Sequence, residues 1–227
     1  MSNNIWIRVR VLLVIISVFI LSGALYFLTA GRLDLPFPWI YYSIHLINAI
    51  IIYTFMDMDL LHERLKKKPD AEKWDVVFNR IYSLTGLLVP VMAGLDLGVL
   101  KATPEIPAVI KIISIFVLIP GAIFADWALF TNRYFSRFVR IQHDRNQKVV
   151  DKGPYGIIRH PAYAVALLSL ILVPVILNSF LAYIPSGICF IFMVWRTIKE
   201  DATLVKKLEG YEQYSNRVKY RLIPGIF

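Results

Sequence analysis

Five stretches of this chain, at about Val9–Ala30, Phe37–Met56, Val76–Leu95, Ile106–Phe130 and Ala162–Thr197, are apolar over lengths that approach or exceed the eighteen or so residues a membrane-spanning helix needs. Few other folds accommodate that pattern. The hydrophobic share of the 227 residues is 57%, above the usual share of about 45–50% in a soluble domain. The class implied is an all-α integral membrane protein.

The last apolar stretch is too long for one crossing. Pro174, Asn178-Ser179 and Pro185 interrupt it, so the expectation is a tight helical hairpin of two shorter arms, giving about six membrane segments. An amphipathic cytoplasmic helix is expected in the last 30 residues. Lys and Arg test this layout. Two fall at the N-terminus, one in the first turn, five in the second connection (six with Arg80), one in the third, seven in 131–160, none at the hairpin tip and seven in the tail counted from Arg196. Rich and poor connections alternate, so the positive-inside rule puts both termini in the cytoplasm. Lys111 is the stray, expected to snorkel near the outer end of the fourth segment. Arg8 and Arg10 before the first apolar run read as an uncleaved signal anchor.

The same distribution disposes of the nucleic-acid reading that a net charge of +9 invites, because the basic residues sit between apolar segments, where anionic lipid attracts them. The single cysteine, Cys189, has no disulfide partner, and no Cys/His cluster has metal-ligand spacing. No metal is expected.

Residues capable of chemistry gather at the two ends of the hairpin. Upstream stand Gly153-Pro154-Tyr155 and Arg159-His160-Pro161-Ala162-Tyr163; downstream stands Arg196-Thr197-Ile198-Lys199-Glu200-Asp201. Folding the hairpin brings these together at one membrane surface. Pro161 suits the first turn of a helix, which puts His160 at a helix N-terminus, where free N–H groups favour anions. Gly153-Pro154 is a turn that allows close backbone approach. Two readings compete: a pocket for the carboxylate and sugar of a cofactor, or an interfacial loop anchored on headgroups. Arg196 and Glu200, four apart on a helix, are either a simple surface ion pair or a functional pair, one holding a substrate carboxylate and the other a cofactor group. Tyr211, Tyr214, Arg217, Tyr220 and Arg221 read as an interfacial stripe, with Arg217 the candidate exception. His45 and Asn48 read as interhelical hydrogen-bonding groups, and Asp126 is an acid within the fourth segment.

At these positions the sequence resembles the isoprenylcysteine carboxyl methyltransferase family. The resemblance rests on Arg159-His160-Pro161-Ala162-Tyr163, the apolar hairpin, and Arg196-Thr197-x-x-Glu200-Asp201. Asn132-x-x-Phe135-Ser136, Gln142, Val149-Val150-x-x-Gly153-Pro154-Tyr155, Gly210-Tyr211-x-x-Tyr214 and Arg221-Leu222-Ile223-Pro224-Gly225 support it. It covers about residues 127–227; Asp201 stands where several relatives have a second glutamate. It implies an enzyme using S-adenosyl-L-methionine (SAM), with cofactor contacts from Gln147, Lys148, Val149, Val150, Gly153, Tyr155, His160, Pro161, Ala162, Tyr163 and Glu200. Arg196, Glu200, Arg159 and Arg217 are the catalytic candidates, with Arg196 beside the substrate. The chain then divides into N-terminal membrane helices (1–125) and a catalytic region (126–227).

The chemistry is consistent with that implication. Methyl transfer from a sulfonium mainly needs the two reactants positioned. A carboxylate acceptor needs an arginine and no general base; an amine or thiol would need one, with His160 or Glu200 the candidates. The implied partners are a lipophilic or lipidated acceptor, entering between helices, and membrane lipid. Two rivals are a membrane NADPH-dependent sterol-type reductase, which shares an RHP segment and a Tyr-rich tail, and a scaffold that keeps the fold without binding a cofactor.

Overall fold

The computed structural model describes residues 2–65 and 70–227, so the lysine run at 66–68 lies outside the described residues. It is 74% helix, with no strand among the described residues. The helices are α1 (Ser2–Ala30), α2 (Pro36–Phe55), α3 (Met58–Leu65), α4 (Lys73–Leu95, continued by a π-helical turn over Asp96–Leu100), α5 (Ala108–Thr131), α6 (Pro161–Ile176), α7 (Tyr183–Lys207) and α8 (Tyr211–Arg217).

Proline sets several boundaries. Pro36 opens α2 and Pro161 opens α6, each at a position whose N–H would have no helical partner. Pro90, Pro120 and Pro174 lie inside helices. The expected hairpin is present as α6 and α7, and its turn bends at Asn178, whose φ is +58°. The polar connection at 57–65 holds a helix that the apolar pattern does not reveal. Asp57 opens it by accepting from the Asp59 and Leu60 N–H groups at 2.8 and 3.4 Å. Its Leu60 and Leu61 are buried with Val11, Ile52 and Met56.

The count of six crossings is not what the helix lengths give. α1, α4 with its π turn, and α5 are long and apolar enough to cross a bilayer, and α2 with α3, bent by 112°, counts as a fourth if the pair is one broken span. α6 has 16 residues, about 24 Å of helix at 1.5 Å per residue, short of the roughly 30 Å hydrocarbon core. In α7 only the first half is apolar, and from Arg196 onward it is charged.

The helices pack as α1 with α2 and α4, α4 with α7, α5 with α6, and α6 with α7. One end of the bundle is basic and carries the 131–160 segment and the tail. At the far end, a Cβ on Gly94 would lie 1.9 Å from Thr29 Oγ1, and one on Gly98 2.6 Å from the Ala30 carbonyl; only glycine permits this approach of α4 to α1. There too, the Lys111 side chain is buried, its ammonium 2.5 Å from the exposed carboxylate of Glu105 and 5.3 Å from the centre of the Phe37 ring. Asn48 on α2 and Asp126 on α5 interact across the two helices, whereas the ring of His45 pairs with the Tyr41 carbonyl of its own helix. At the basic end Trp74 and Trp195 meet edge to face at 5.4 Å, as aromatic residues do at a membrane surface.

Candidate active site

The segment before α6 is fixed first by its main chain. The Arg159 N–H donates to the Tyr220 carbonyl at 3.0 Å and the His160 N–H to the Arg221 carbonyl at 2.9 Å, which docks the C-terminal tail against the start of the hairpin. His160 sits at the N-cap of α6. Both side chains then converge on Asp201 of α7. Arg159 donates to it twice at 2.8 Å, Arg221 at 2.9 Å and the Tyr211 hydroxyl at 3.0 Å, and His160 Nε2 lies 3.3 Å away. Burial alone would raise the pKa of Asp201, but the bonds from His160 and Arg159 and their charge outweigh it and hold the carboxyl well below its usual range. Asp201 is therefore a permanent anion that ties α6, α7, α8 and the tail together. Arg159 also donates to the carbonyls of Ser215, Val218 and Lys219.

Glu200, the next residue, faces elsewhere. It accepts from the Tyr163 hydroxyl at 2.6 Å, and the Tyr163 ring stacks on His160 at 5.4 Å. Together they form one wall of a cleft of about 790 Å³, its open mouth included. The opposite wall comes from the 132–150 segment. Gln147, Lys148, Val149, Val150, Tyr155, Arg159, His160, Pro161, Ala162, Tyr163 and Glu200 all line this cleft. Thus ten of the residues expected to contact a cofactor lie around one space.

Three other candidates do not line it. Gly153 adopts φ +55°, and a Cβ there would meet Trp127 and Thr131 at 3.2 Å, so its turn fits against α5 rather than opening to the cleft. Arg217 is exposed and paired with Asp151. Arg196 lies behind the Tyr163 ring, its guanidinium 5.0 Å from the centroids of Tyr163 and Phe78. It is not bonded to Glu200, as an i,i+4 pair would be. Its Nε donates to Asp75 at 2.7 Å, and its Nη2 donates to the Arg137 carbonyl at 2.9 Å.

The tail departs from the expected interfacial stripe. α8 ends at Arg217, so Tyr220 and Arg221 do not continue its face. Tyr211 and Tyr214 are buried and line the cleft, with the Tyr214 hydroxyl on the Tyr155 carbonyl at 2.8 Å. Burial pushes the phenols of Tyr155 and Tyr214 upward, so they stay protonated. Helical spacing cannot distinguish tyrosines packed under a tail from tyrosines in headgroups. Asn132, Gln142 and Arg140 also line the cleft. Arg140 is buried against Glu63 of α3 at 2.8 Å and also pairs with Asp70 and Asp144; these carboxylates outweigh its desolvation and keep it charged. Nothing in the local sequence marks that partnership, because 77 positions separate Arg140 from Glu63.

A second cavity of about 840 Å³, mouth included, lies between α1, α2, α4, α6 and α7. Tyr82, Gly86, Ala166, Leu170, Val173 and Cys189 contribute to its mostly apolar lining. Phe78 stacks on Tyr82 at 5.2 Å, so the ring beside Arg196 abuts a ring of the cavity wall. Among the described residues no group of His, Cys, Asp and Glu could hold a metal ion.

Residues 112–206 match the isoprenylcysteine carboxyl methyltransferase (ICMT) family, which bears out the family resemblance in the sequence. The family is one of membrane methyltransferases, and nothing in the comparison supports a reductase. No curated protein matches the chain.

Proposed function

We propose that this chain, similar over residues 112–206 to the isoprenylcysteine carboxyl methyltransferase family, is a SAM-dependent enzyme that methylates a lipophilic acceptor at the membrane surface. One observation carries the reading: a mixed polar cleft at the basic end and a mostly apolar cavity among the helices are linked through the layer of Tyr163, Arg196 and Phe78, with Tyr163 in the cleft wall and Phe78 stacked on Tyr82 of the cavity wall. A water-soluble cofactor and a lipophilic acceptor would reach that layer from opposite sides.

The cleft residues suit the cofactor. Glu200 offers an anion to a cation, Tyr155, Val149 and Val150 offer apolar surface, and Gln147 and the polar edge of the 132–150 segment offer hydrogen bonds. When bound, SAM supplies an activated methyl group on a positively charged sulfur. The chain's own work is positioning. Tyr163 holds the Glu200 carboxylate in place, and the Asp201 hub holds His160 and the first turn of α6. On this reading Arg159 is a positioning residue, because its donors are engaged by Asp201 and the tail. Arg217, exposed on Asp151, stands outside the reaction. Arg196 fits as the anchor for an anionic acceptor head, and a carboxylate held there is already ionised and needs no base.

The test is calorimetry on the detergent-purified protein with S-adenosylhomocysteine (SAH) and NADPH in parallel. Micromolar SAH binding that disappears in Glu200→Ala is expected. Binding of NADPH alone would transfer the case to the reductase, and no binding of either would favour a scaffold.

A further inference from the structure

We infer that Asp75 of α4, outside the matched residues 112–206, is a positioning residue that aims Arg196 at the boundary between the two cavities. The inference rests on the methyltransferase reading for its kinetic consequences and on geometry alone for the aim.

Asp75 is fully buried and Arg196 nearly so. Its Oδ1 accepts from Arg196 Nε at 2.7 Å. Its Oδ2 accepts from the Val139 N–H at 2.8 Å, from Asn79 Nδ2 at 3.2 Å and, weakly, from Arg196 Nη2 at 3.4 Å. One carboxylate thus ties α4, α7 and the 131–150 segment. The Arg137 carbonyl takes the other bond of Nη2, and the rings of Phe78 and Tyr163 flank the guanidinium. A long, flexible arginine is thereby reduced to one orientation, its plane fixed by the Asp75 carboxylate and the Arg137 carbonyl.

Consequences pass outward through contacts. Tyr163, which packs on Arg196, carries the hydroxyl that holds Glu200 and the ring that stacks on His160. A misplaced Arg196 therefore disturbs the acceptor side first and the cofactor side only indirectly. The pair is also neutral, so Asp75 lets a guanidinium sit buried between the Phe78 and Tyr163 rings without an uncompensated charge. When an acceptor anion arrives, the guanidinium is already oriented, which is how a fixed group gains over a mobile one.

The experiment follows Arg196 directly and through kinetics, in the full chain in nanodiscs. The Nε–H resonances of 15N-arginine-labelled protein are recorded for the wild type and for Asp75→Asn, with Arg196→Lys to assign the signal. We expect a slowly exchanging Arg196 Nε–H that is lost in Asp75→Asn; a signal unchanged by that substitution overturns the inference. With S-farnesylcysteine as acceptor probe, Asp75→Asn should raise the acceptor KM by about tenfold or more while SAH affinity stays within about twofold. Asp75→Asn/Arg196→Gln should be no worse than Arg196→Gln. Equal losses of SAH and acceptor affinity, or additive losses in the double variant, mean a merely structural aspartate. If Asp75→Asn fails to fold while the doubly neutral variant folds, the charge coupling stands; if both fail, it falls. A wild type that binds no SAH and methylates nothing sinks the methyltransferase reading, and the Arg196 resonance alone then decides the role of Asp75.

Discussion

The α6–α7 hairpin is pinned at each end by a buried aspartate, and the two ends are solved with different chemistry. At the far end Asp96, at the close of α4, accepts from the N–H groups of Ala102, Thr103 and Leu181 and from the hydroxyls of Thr103 and Ser179. Every donor is neutral, and the result locks the hairpin turn to the α4–α5 connection. At the basic end Asp201 is held by two guanidiniums, an imidazole and a phenol. Neutral donors suffice to fasten a turn. Two cations on one carboxylate leave positive charge over, and one of them, Arg159, lines the cleft whose wall carries Glu200. The first end is architecture, whereas the second is architecture that also shapes an electrostatic site.

Breaking the charged end should cost most. Asp201→Ala leaves Arg159 and Arg221 facing one another without their anion, and loss of one partner of a buried pair costs about 3–5 kcal/mol. Denaturant unfolding should register that loss, together with loss of SAH binding. Asp96→Ala should be milder, about 1–3 kcal/mol for stranded neutral donors, and the SAH affinity of the folded fraction should stay unchanged. If both variants lose SAH binding alike, the contrast is false.

Acid sharpens the comparison. Because the folded Asp201 carboxyl is held below its usual range, its contribution is fully present above the unfolded value of about 4. It is lost only as pH falls from there toward the folded value. Thermal unfolding measured from pH 5 to 8 should therefore show no weakening of the tail's attachment; a loss of tail protection on going from pH 7 to 5.5 would contradict it.

Two smaller effects probe the helices between the ends. Gly94→Ala drives a Cβ into α1 and should destabilise by about 1–3 kcal/mol. Gly86, by contrast, has open space where a side chain would go and lines the apolar cavity. Gly86→Leu should leave stability and SAH binding near wild type while raising the acceptor KM several-fold. An unchanged acceptor KM would remove that cavity from the account.

Much of this was legible in the sequence for physical reasons. Apolar length gives membrane helices, Pro161 gives the start of α6, and Asn178-Ser179 gives the hairpin turn. The clustering of His160, Tyr163 and Glu200 follows from closing that hairpin. What stayed hidden depends on distant partners. Asp75 and Arg196 are 121 positions apart, and Arg140 meets Glu63 on a helix too short and polar to announce itself. Tyr211 and Tyr214 have the spacing of a surface stripe, and only the return of the tail onto Arg159 and His160 buries them. The crossing count differs for a related reason: of the two short arms that the breaks in the sequence imply, α6 has 16 residues and α7 turns charged at Arg196, so neither reaches the length of an apolar span.

The most direct measurement is transfer of label from methyl-labelled SAM to a membrane lipid extract by the protein in nanodiscs, beside Glu200→Gln and Arg196→Gln. The account predicts label in an organic-soluble product with the wild type. It predicts loss with Glu200→Gln through failure to bind SAM, and loss with Arg196→Gln despite normal SAM binding. Equal transfer by all three proteins, or a product confined to the aqueous phase, would contradict a cleft and an apolar cavity meeting at Arg196.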